Sequence, residues 1–137
     1  MPEQSFLEQR LDASTWPIAV GDLVALLAFL FVGTLEHSTV EEIQAEPSLY
    51  LIVAGPFVLG WLICAPLIGA YSPGGGSAPN SSIPLAIRSW IPAVLIALVI
   101  RVVALPARGA EPVFAAIMLV GGAVVLAIWR FLYFQIA

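Results

Sequence analysis

The chain has 137 residues, of which 61% are hydrophobic and only 10% are charged. A water-soluble domain of this size could not bury so much apolar surface, so the composition excludes a soluble globular protein and predicts one compact membrane domain. Nine acidic residues stand against five arginines and no lysine, and this net charge of −4 excludes the basic surface that nucleic-acid binding needs.

The residue usage bears on cofactors and catalysis as well. Cys64 is the only cysteine and His37 the only histidine, so we expect no internal disulfide, no metal site and no cofactor. No nucleophile elbow, phosphate loop or zinc-protease motif is present, and we expect no enzymatic activity. The acidic excess without lysine fits polar ends that face concentrated salt, as in an extreme halophile. It equally fits a chance bias in a chain with few polar positions.

The chain begins with a polar tail, residues 1–15, in which the few apolar side chains share one helical face. A short helix on the membrane surface and a frayed coil both fit this pattern. Four hydrophobic segments long enough to cross a bilayer follow in residues 16–133. We predict transmembrane helices at about 16–35, 48–71, 83–105 and 113–133.

The connections between these segments predict their arrangement. Residues 72–83 are rich in Gly, Pro and Ser, which indicates a flexible linker without structure of its own. Four antiparallel spans joined by short connections predict an all-α, polytopic membrane protein folded as a small four-helix bundle.

The arginines near the span ends predict the orientation. Arg10, Arg88 and Arg130 belong to one side of the membrane, and Arg101 and Arg108 to the other. The positive-inside rule then places both termini in the cytoplasm of a multi-pass protein of the cell membrane.

Arg101 is the first candidate for a functional residue. Helical side chains tilt toward the N-terminus of their helix, so Arg101, near the end of the third span, leans toward the bilayer centre. Charge is costly there. Glu36 and His37 end the first span on the same side, which predicts an outer cluster of Glu36, His37 and Arg101. The competing interpretation is an arginine whose long stem snorkels back to water.

Asp22 is the second candidate, because it lies about 9 Å into the first span and its short side chain cannot snorkel far. Arg88 is a cation of the same leaflet, so we predict an intramembrane Asp22–Arg88 ion pair. Such a pair is either an architectural clip between spans one and three or a site that handles protons or ions.

The second span contains two prolines and a central tryptophan. Pro56 and Pro66 each remove a backbone hydrogen bond and predict kinks, which border transport sites in some proteins and are also common in ordinary membrane helices. Trp61 lies near the middle of the span and is predicted to face the bundle interior, where it either packs or lines a cavity.

Two further patterns favour a packed bundle in a bilayer. Small residues recur four positions apart, which lets helices approach closely in lipid. The pairs are Gly21/Ala25, Ala65/Gly69, Ala93/Ala97 and Ala123/Ala127. Aromatic residues lie near the span ends, as interfacial residues do. They are Trp16, Tyr50, Tyr71, Trp129 and Tyr133.

Short groups of residues along the chain resemble a known family. They are Asp22, Phe29, Gly33 and His37; Pro56-Phe57 and Gly60-Trp61; Trp90, then Leu98 to Arg101-Val102-Val103; and Phe114 with Trp129-Arg130. Over about residues 20–130 the chain is similar to the small prokaryotic membrane family catalogued as domain of unknown function 3054. The resemblance implies a four-span bundle and no established activity. His37 and Arg101 match its pattern, whereas Arg88 and the Gly-rich linker depart from it.

Two classes of function remain open. In the first, the protein is an accessory or structural subunit that packs with itself or with partner membrane proteins. In the second, it is a small oligomeric permeation or transport protein that uses the Arg101/His37/Glu36 cluster and the Asp22/Arg88 pair. Spans two and four hold almost no polar groups at mid-depth, which favours the accessory role. Membrane lipids are expected partners in both.

Overall fold

The computed structural model describes residues 11–35, 39–104 and 112–136, and these residues form helices and no β-strand. A short 3-10 turn at Ala13–Thr15 leads into the first helix. The six helices are α1 (Trp16–Leu35), α2 (Val40–Ala45), α3 (Ser48–Ile68), α4 (Pro73–Ser77), α5 (Pro79–Ala104) and α6 (Pro112–Ile136). Residues 1–10 of the predicted polar tail lie outside the described residues.

Four of the helices are long and apolar enough to cross a membrane, namely α1, α3, α5 and α6. They contain 20, 21, 26 and 25 residues, which at 1.5 Å per residue gives lengths of about 30 to 39 Å. This matches a hydrocarbon core of about 30 Å. The chain is therefore an all-α, polytopic membrane protein, as the sequence predicts.

The four spans form a ring in which each helix packs against two others. α1 packs on α3 and α6, and α5 packs on α3 and α6. Successive spans run in opposite directions, which brings together the start of α1, the end of α3, the start of α5 and the end of α6. We call this the terminal end of the bundle, because it carries the first and last described residues.

Small residues allow the helices to approach closely inside the bundle. A side chain at Gly60 of α3 would overlap the backbone of Ala93 in α5. Ala65, Ala93 and Ala97 are fully buried. The small-residue surfaces of α3 and α5 are thus used for contacts between the spans themselves, as close packing in lipid requires.

The predicted flexible linker is wrong, because residues 72–83 are mostly helical. Gly69 ends α3 with a φ of 104°, in the left-handed region that favours glycine. Pro73 then begins α4, and Pro79 begins α5. Proline suits the first position of a helix, because the backbone N–H that it lacks would have no partner within the helix. Ser81 Oγ ties the two helices together by donating to the carbonyl of Gly74 at 2.6 Å.

The acidic loop after α1 also contains a helix, α2. Thr39 caps it, since its hydroxyl accepts a hydrogen bond from the backbone N–H of Glu42 at 3.2 Å. The Glu42 carboxylate accepts from the backbone N–H of Thr39 in return, which completes a capping box.

Candidate functional site

A buried ion pair joins the first and last spans at the terminal end. Asp22 lies six residues after the start of α1 at Trp16, and Arg130 lies six residues before the end of α6 at Ile136. Both side chains are fully withdrawn from the surface. Arg130 Nη2 donates to Asp22 Oδ2 at 2.6 Å and Arg130 Nε donates to Oδ1 at 3.2 Å. The guanidinium thus binds both oxygens of the carboxylate.

The third guanidinium nitrogen, Nη1, binds groups of α3 and α5. Arg130 Nη1 donates to the carbonyl of Ala70, just after α3, at 3.2 Å. It also donates to the carbonyl and the hydroxyl of Ser82, in the first turn of α5, at 3.1 and 3.0 Å. Arg130 of α6 therefore contacts groups from the other three spans or their immediate ends.

Tyr71 completes the polar cluster from the turn after α3. Its hydroxyl donates to Asp22 Oδ2 at 2.8 Å and accepts a hydrogen bond from Trp61 Nε1 at 2.8 Å. Burial, together with the neighbouring Asp22 carboxylate, raises the pKa of the Tyr71 hydroxyl, which keeps it protonated as a donor. We refer to Asp22, Tyr71, Ser82 and Arg130 as the polar clasp.

The charged groups of the polar clasp are satisfied within the protein. The Asp22 carboxylate accepts three hydrogen bonds and its charge is balanced by Arg130. A buried pair that loses one partner leaves an uncompensated charge, which costs about 3–5 kcal/mol in proteins. A ligand that entered here would first have to displace these bonds.

The predicted pairing of Asp22 with Arg88 is wrong. Arg88 is exposed on α5, six residues or about 9 Å beyond Ser82, which lies level with the ion pair. Six residues also correspond to 600° of helical rotation, so Arg88 and Ser82 lie on different faces of α5. The Trp129-Arg130 dipeptide on the same side of the membrane is the signal that could have identified the true partner.

Two aromatic residues predicted as interfacial have interior roles instead. Tyr71 belongs to the polar clasp. Trp129 covers Gly21, where a side chain would overlap the indole ring, and its Nε1 donates to the carbonyl of Ile18 at 3.3 Å. By contrast, Trp16 is 68% exposed at the start of α1, as suits an interfacial side chain.

Arg101 is buried at the opposite end of the bundle, with 6% of its surface exposed. Its guanidinium carbon lies 4.3 Å from the ring centroid of Phe114 in α6, a cation–π contact. Glu36 and His37 lie outside the described residues, so the outer cluster with Arg101 stays a prediction.

A column of aromatic rings connects the two buried arginines through the bundle. Neighbouring ring centroids are separated by 6.0, 6.0, 6.3 and 6.2 Å. From the Arg101 end, the rings are those of Phe114, Phe57, Trp90, Trp61 and Tyr71. The Tyr71 ring then lies 5.6 Å from the Arg130 guanidinium carbon. Side chains thus occupy the interior where a solute would have to pass.

The second span supplies much of this column. Trp61 and Phe57 are completely buried on α3, so Trp61 packs between aromatic neighbours. Pro56 and Pro66 both lie inside the helix, and Pro56 is buried. Cys64 is buried as well, and no group of three or more potential metal ligands occurs in the part of the chain that the structure describes.

Fold and site together define a four-span integral membrane bundle whose helix ends are joined by a buried ion pair. The chain belongs to the family described as Protein of unknown function (DUF3054), whose family model matches residues 19–133. The matched range contains the whole polar clasp and the aromatic column, and it confirms the resemblance seen in the sequence. No curated protein and no solved structure matches the chain.

Proposed function

We propose that the protein is an accessory or structural subunit of the cell membrane, without catalytic activity, that packs with itself or with partner membrane proteins. The polar clasp is the observation that supports this proposal. Its carboxylate and guanidinium are fully buried and satisfy one another, which favours a rigid body over a reactive centre.

The filled interior supports the same proposal. Phe57, Trp61 and Trp90 are completely buried along the bundle axis, so a path for solutes through one bundle would require large rearrangements of packed rings. A rigid bundle suits a protein that acts through its outer surface. Both termini are proposed to face the cytoplasm, with the polar clasp in the inner leaflet.

Partner contacts would use large apolar side chains rather than small residues. Ala65 of α3 and Ala93 and Ala97 of α5 are already buried between the spans. By contrast, α6 presents bulky residues at steps of three and four. These exposed residues are Val113, Ile117, Val120, Val124 and Ile128. An apolar stripe with this spacing fits the side of another transmembrane helix.

The alternative is an oligomeric permeation or transport protein, and the buried Arg101 is the observation that favours it. An arginine with 6% exposure near the end of a membrane span is an uncommon and costly feature. Because the axis of each bundle is filled, the path would run between subunits, past the predicted cluster with Glu36 and His37.

Copurification in a mild detergent tests the accessory role. A tagged full-length protein, expressed at low level in its source cells, is expected to elute as a stable homo-oligomer or with one reproducible membrane partner. Val120→Ala combined with Val124→Ala on α6 should weaken that association, while Leu59→Ala with Leu62→Ala, two exposed positions on α3, serves as the matched control. A strictly monomeric protein in repeated preparations would contradict the proposal.

Flux measurements in liposomes separate the two candidates. The accessory role predicts no ion or solute flux above that of empty vesicles. Flux that is present in the wild type and lost in Arg101→Gln would instead establish the permeation role, provided that the variant inserts and assembles normally.

A further inference from the structure

The outer face of α5 combines one cation with a long apolar stripe. Arg88 is exposed, and Ile91, Leu95 and Val99 follow on the same face with 45%, 60% and 60% of their surfaces exposed. Between Arg88 and Val99 the helix rises by about 16.5 Å, close to half of a 30 Å hydrocarbon core. The stripe therefore has the length of one lipid leaflet.

Arg88 needs an anion from outside the bundle. It lies nine residues after Pro79, which places its Cα about 13.5 Å along α5. Within the described residues (11–35, 39–104 and 112–136), the salt bridge that forms joins Asp22 to Arg130, and Arg88 takes no part in it. An exposed guanidinium at this depth is costly in lipid and is stabilised when it reaches a charged or polar group near the interface.

Two serine hydroxyls lie on the side toward which Arg88 leans. Helical side chains tilt toward the N-terminus, so the Arg88 side chain points along α5 toward the terminal end. Ser81 lies seven residues earlier, which is two turns away on the same face. Its Oγ is 3.1 Å from the Oγ of Ser77, which is exposed.

The hydroxyl pair can bind an additional acceptor. Ser81 Oγ makes a short bond of 2.6 Å to the Gly74 carbonyl, whereas Ser77 Oγ lies at 3.2 Å from the same carbonyl. The Ser77 proton is thus held weakly and can turn outward to an oxygen atom. Arg88 from one side and Ser77 from the other would then enclose a tetrahedral anion.

We propose that this face binds one anionic phospholipid, whose phosphate lies between Arg88 and the Ser77/Ser81 hydroxyls and whose acyl chain lies along Ile91, Leu95 and Val99. Arginine presents several donors in a fork that suits phosphate oxygens. In a lipid with no cationic headgroup, the whole negative charge of the phosphate is available to Arg88. A zwitterionic lipid brings its own cation, which competes for that phosphate.

Native mass spectrometry of the full chain tests the site. The protein is released from nanodiscs that contain phosphatidylglycerol and phosphatidylcholine in equal amounts. We expect one phosphatidylglycerol to remain bound in preference to phosphatidylcholine. Arg88→Gln should lower the retained fraction at least tenfold, Arg88→Lys should lower it less, and Ser77→Ala should lower it severalfold.

Three controls make the outcome decisive. Each variant must keep the wild-type melting temperature in detergent, which is expected because Arg88 and Ser77 are exposed. Leu59→Gln, an exposed residue on α3, serves as a surface substitution outside the proposed site and should retain the lipid. Equal lipid retention by wild type and Arg88→Gln would overturn the proposal. So would displacement of the lipid by millimolar inorganic phosphate, or an Arg88-dependent dimer without lipid.

Discussion

At the scale of single residues, the Asp22–Arg130 pair combines full burial with a position inside the membrane span. Each residue lies about 9 Å from the nearest helix end, and the pair is out of reach of bulk water. Removal of one partner from such a pair destabilises the fold strongly, because the remaining charge stays buried without compensation.

We therefore predict strongly non-additive effects in the pair. Asp22→Asn and Arg130→Gln should each destabilise the bundle by about 3–5 kcal/mol, and the double variant should cost less than the sum of the two. Reversible unfolding in mixed micelles measures these differences. Arg88→Gln, which removes an exposed arginine, is the matched control and should change stability by less than about 1 kcal/mol. Additive losses would show that the two charges do not interact.

Tyr71 gives the polar clasp a dependence on alkaline pH. Its pKa is raised from the ordinary value of 10.0 by burial and by the Asp22 carboxylate. A group whose pKa is higher in the folded state stabilises the fold below its unfolded pKa, and this contribution is lost as pH rises above about 10. Stability of the wild type should thus fall more steeply above pH 10 than that of Tyr71→Phe.

The same substitution should weaken the bundle at neutral pH. Tyr71→Phe removes the acceptor of the Trp61 indole and one donor to Asp22, a loss of about 1–3 kcal/mol. Tyr133→Phe on α6 is the matched control, since Tyr133 packs on Trp129 and Phe134 through its ring. If both variants behave alike at neutral and alkaline pH, the Tyr71 hydroxyl contributes nothing.

At the scale of helices, α3 and α5 touch at a point where only glycine fits. A Cβ at Gly60 would overlap the Ala93 backbone, which cannot move aside as a flexible side chain can. Gly33 near the end of α1 is different, because a Cβ built on it would meet Met118 Cε at an ordinary contact distance of 3.6 Å. Both glycines are helical, and they differ in packing.

This contrast predicts opposite signs for the same substitution. Gly60→Ala should destabilise the bundle by about 1–3 kcal/mol because the helices must separate. Gly33→Ala should be neutral or stabilise it by up to about 1 kcal/mol, because alanine loses less backbone entropy in a helix. Thermal unfolding of both variants in one detergent checks the prediction, and a loss at Gly33 as large as that at Gly60 would contradict it.

The helices themselves could be predicted from the sequence, whereas the partners of the buried charges could not. Each span is identified by hydrophobicity summed over about 20 residues, so single polar residues such as Asp22 do not alter the result. The Asp22–Arg130 pair depends on α6 packing beside α1, and hydropathy contains no information about which spans are neighbours. Arg88 and Arg130 both lie on the same side of the membrane as Asp22, and only the packing shows that Arg88 lies on a different face of α5 from Ser82.

The linker prediction is wrong because composition alone does not reveal long-range contacts. Composition alone describes residues 72–83 as flexible, because Gly and Ser lose the most entropy or favour turns. The structure orders them through contacts distant in sequence, such as the bonds from Arg130 Nη1 to the carbonyl and the hydroxyl of Ser82 at 3.1 and 3.0 Å. Helix α4 also packs against the turn at Ala13–Thr15. Tertiary contacts of this kind are invisible to a local pattern.

At the scale of the whole molecule, the polar clasp fixes the relative direction of the spans. Groups from the start of α1, the end of α3, the start of α5 and the end of α6 meet around one guanidinium. Only an up-and-down arrangement brings these four ends to one side of a membrane. Exposed residues before α1 and at the end of α6 must then lie on one side of the membrane, and those between α1 and α3 on the other.

Single-cysteine labelling tests this arrangement in intact cells. In a Cys64→Ala background, Ser14→Cys and Gln135→Cys should react with a membrane-impermeant maleimide only after the membrane is opened, whereas Glu41→Cys should react in intact cells. All three positions are exposed, and the original thiol is buried. The reverse pattern would preserve the bundle and invert its proposed orientation. Labelling of Ser14→Cys and Gln135→Cys from opposite sides would contradict the four-span fold, because an even number of crossings returns the chain to the side on which it began.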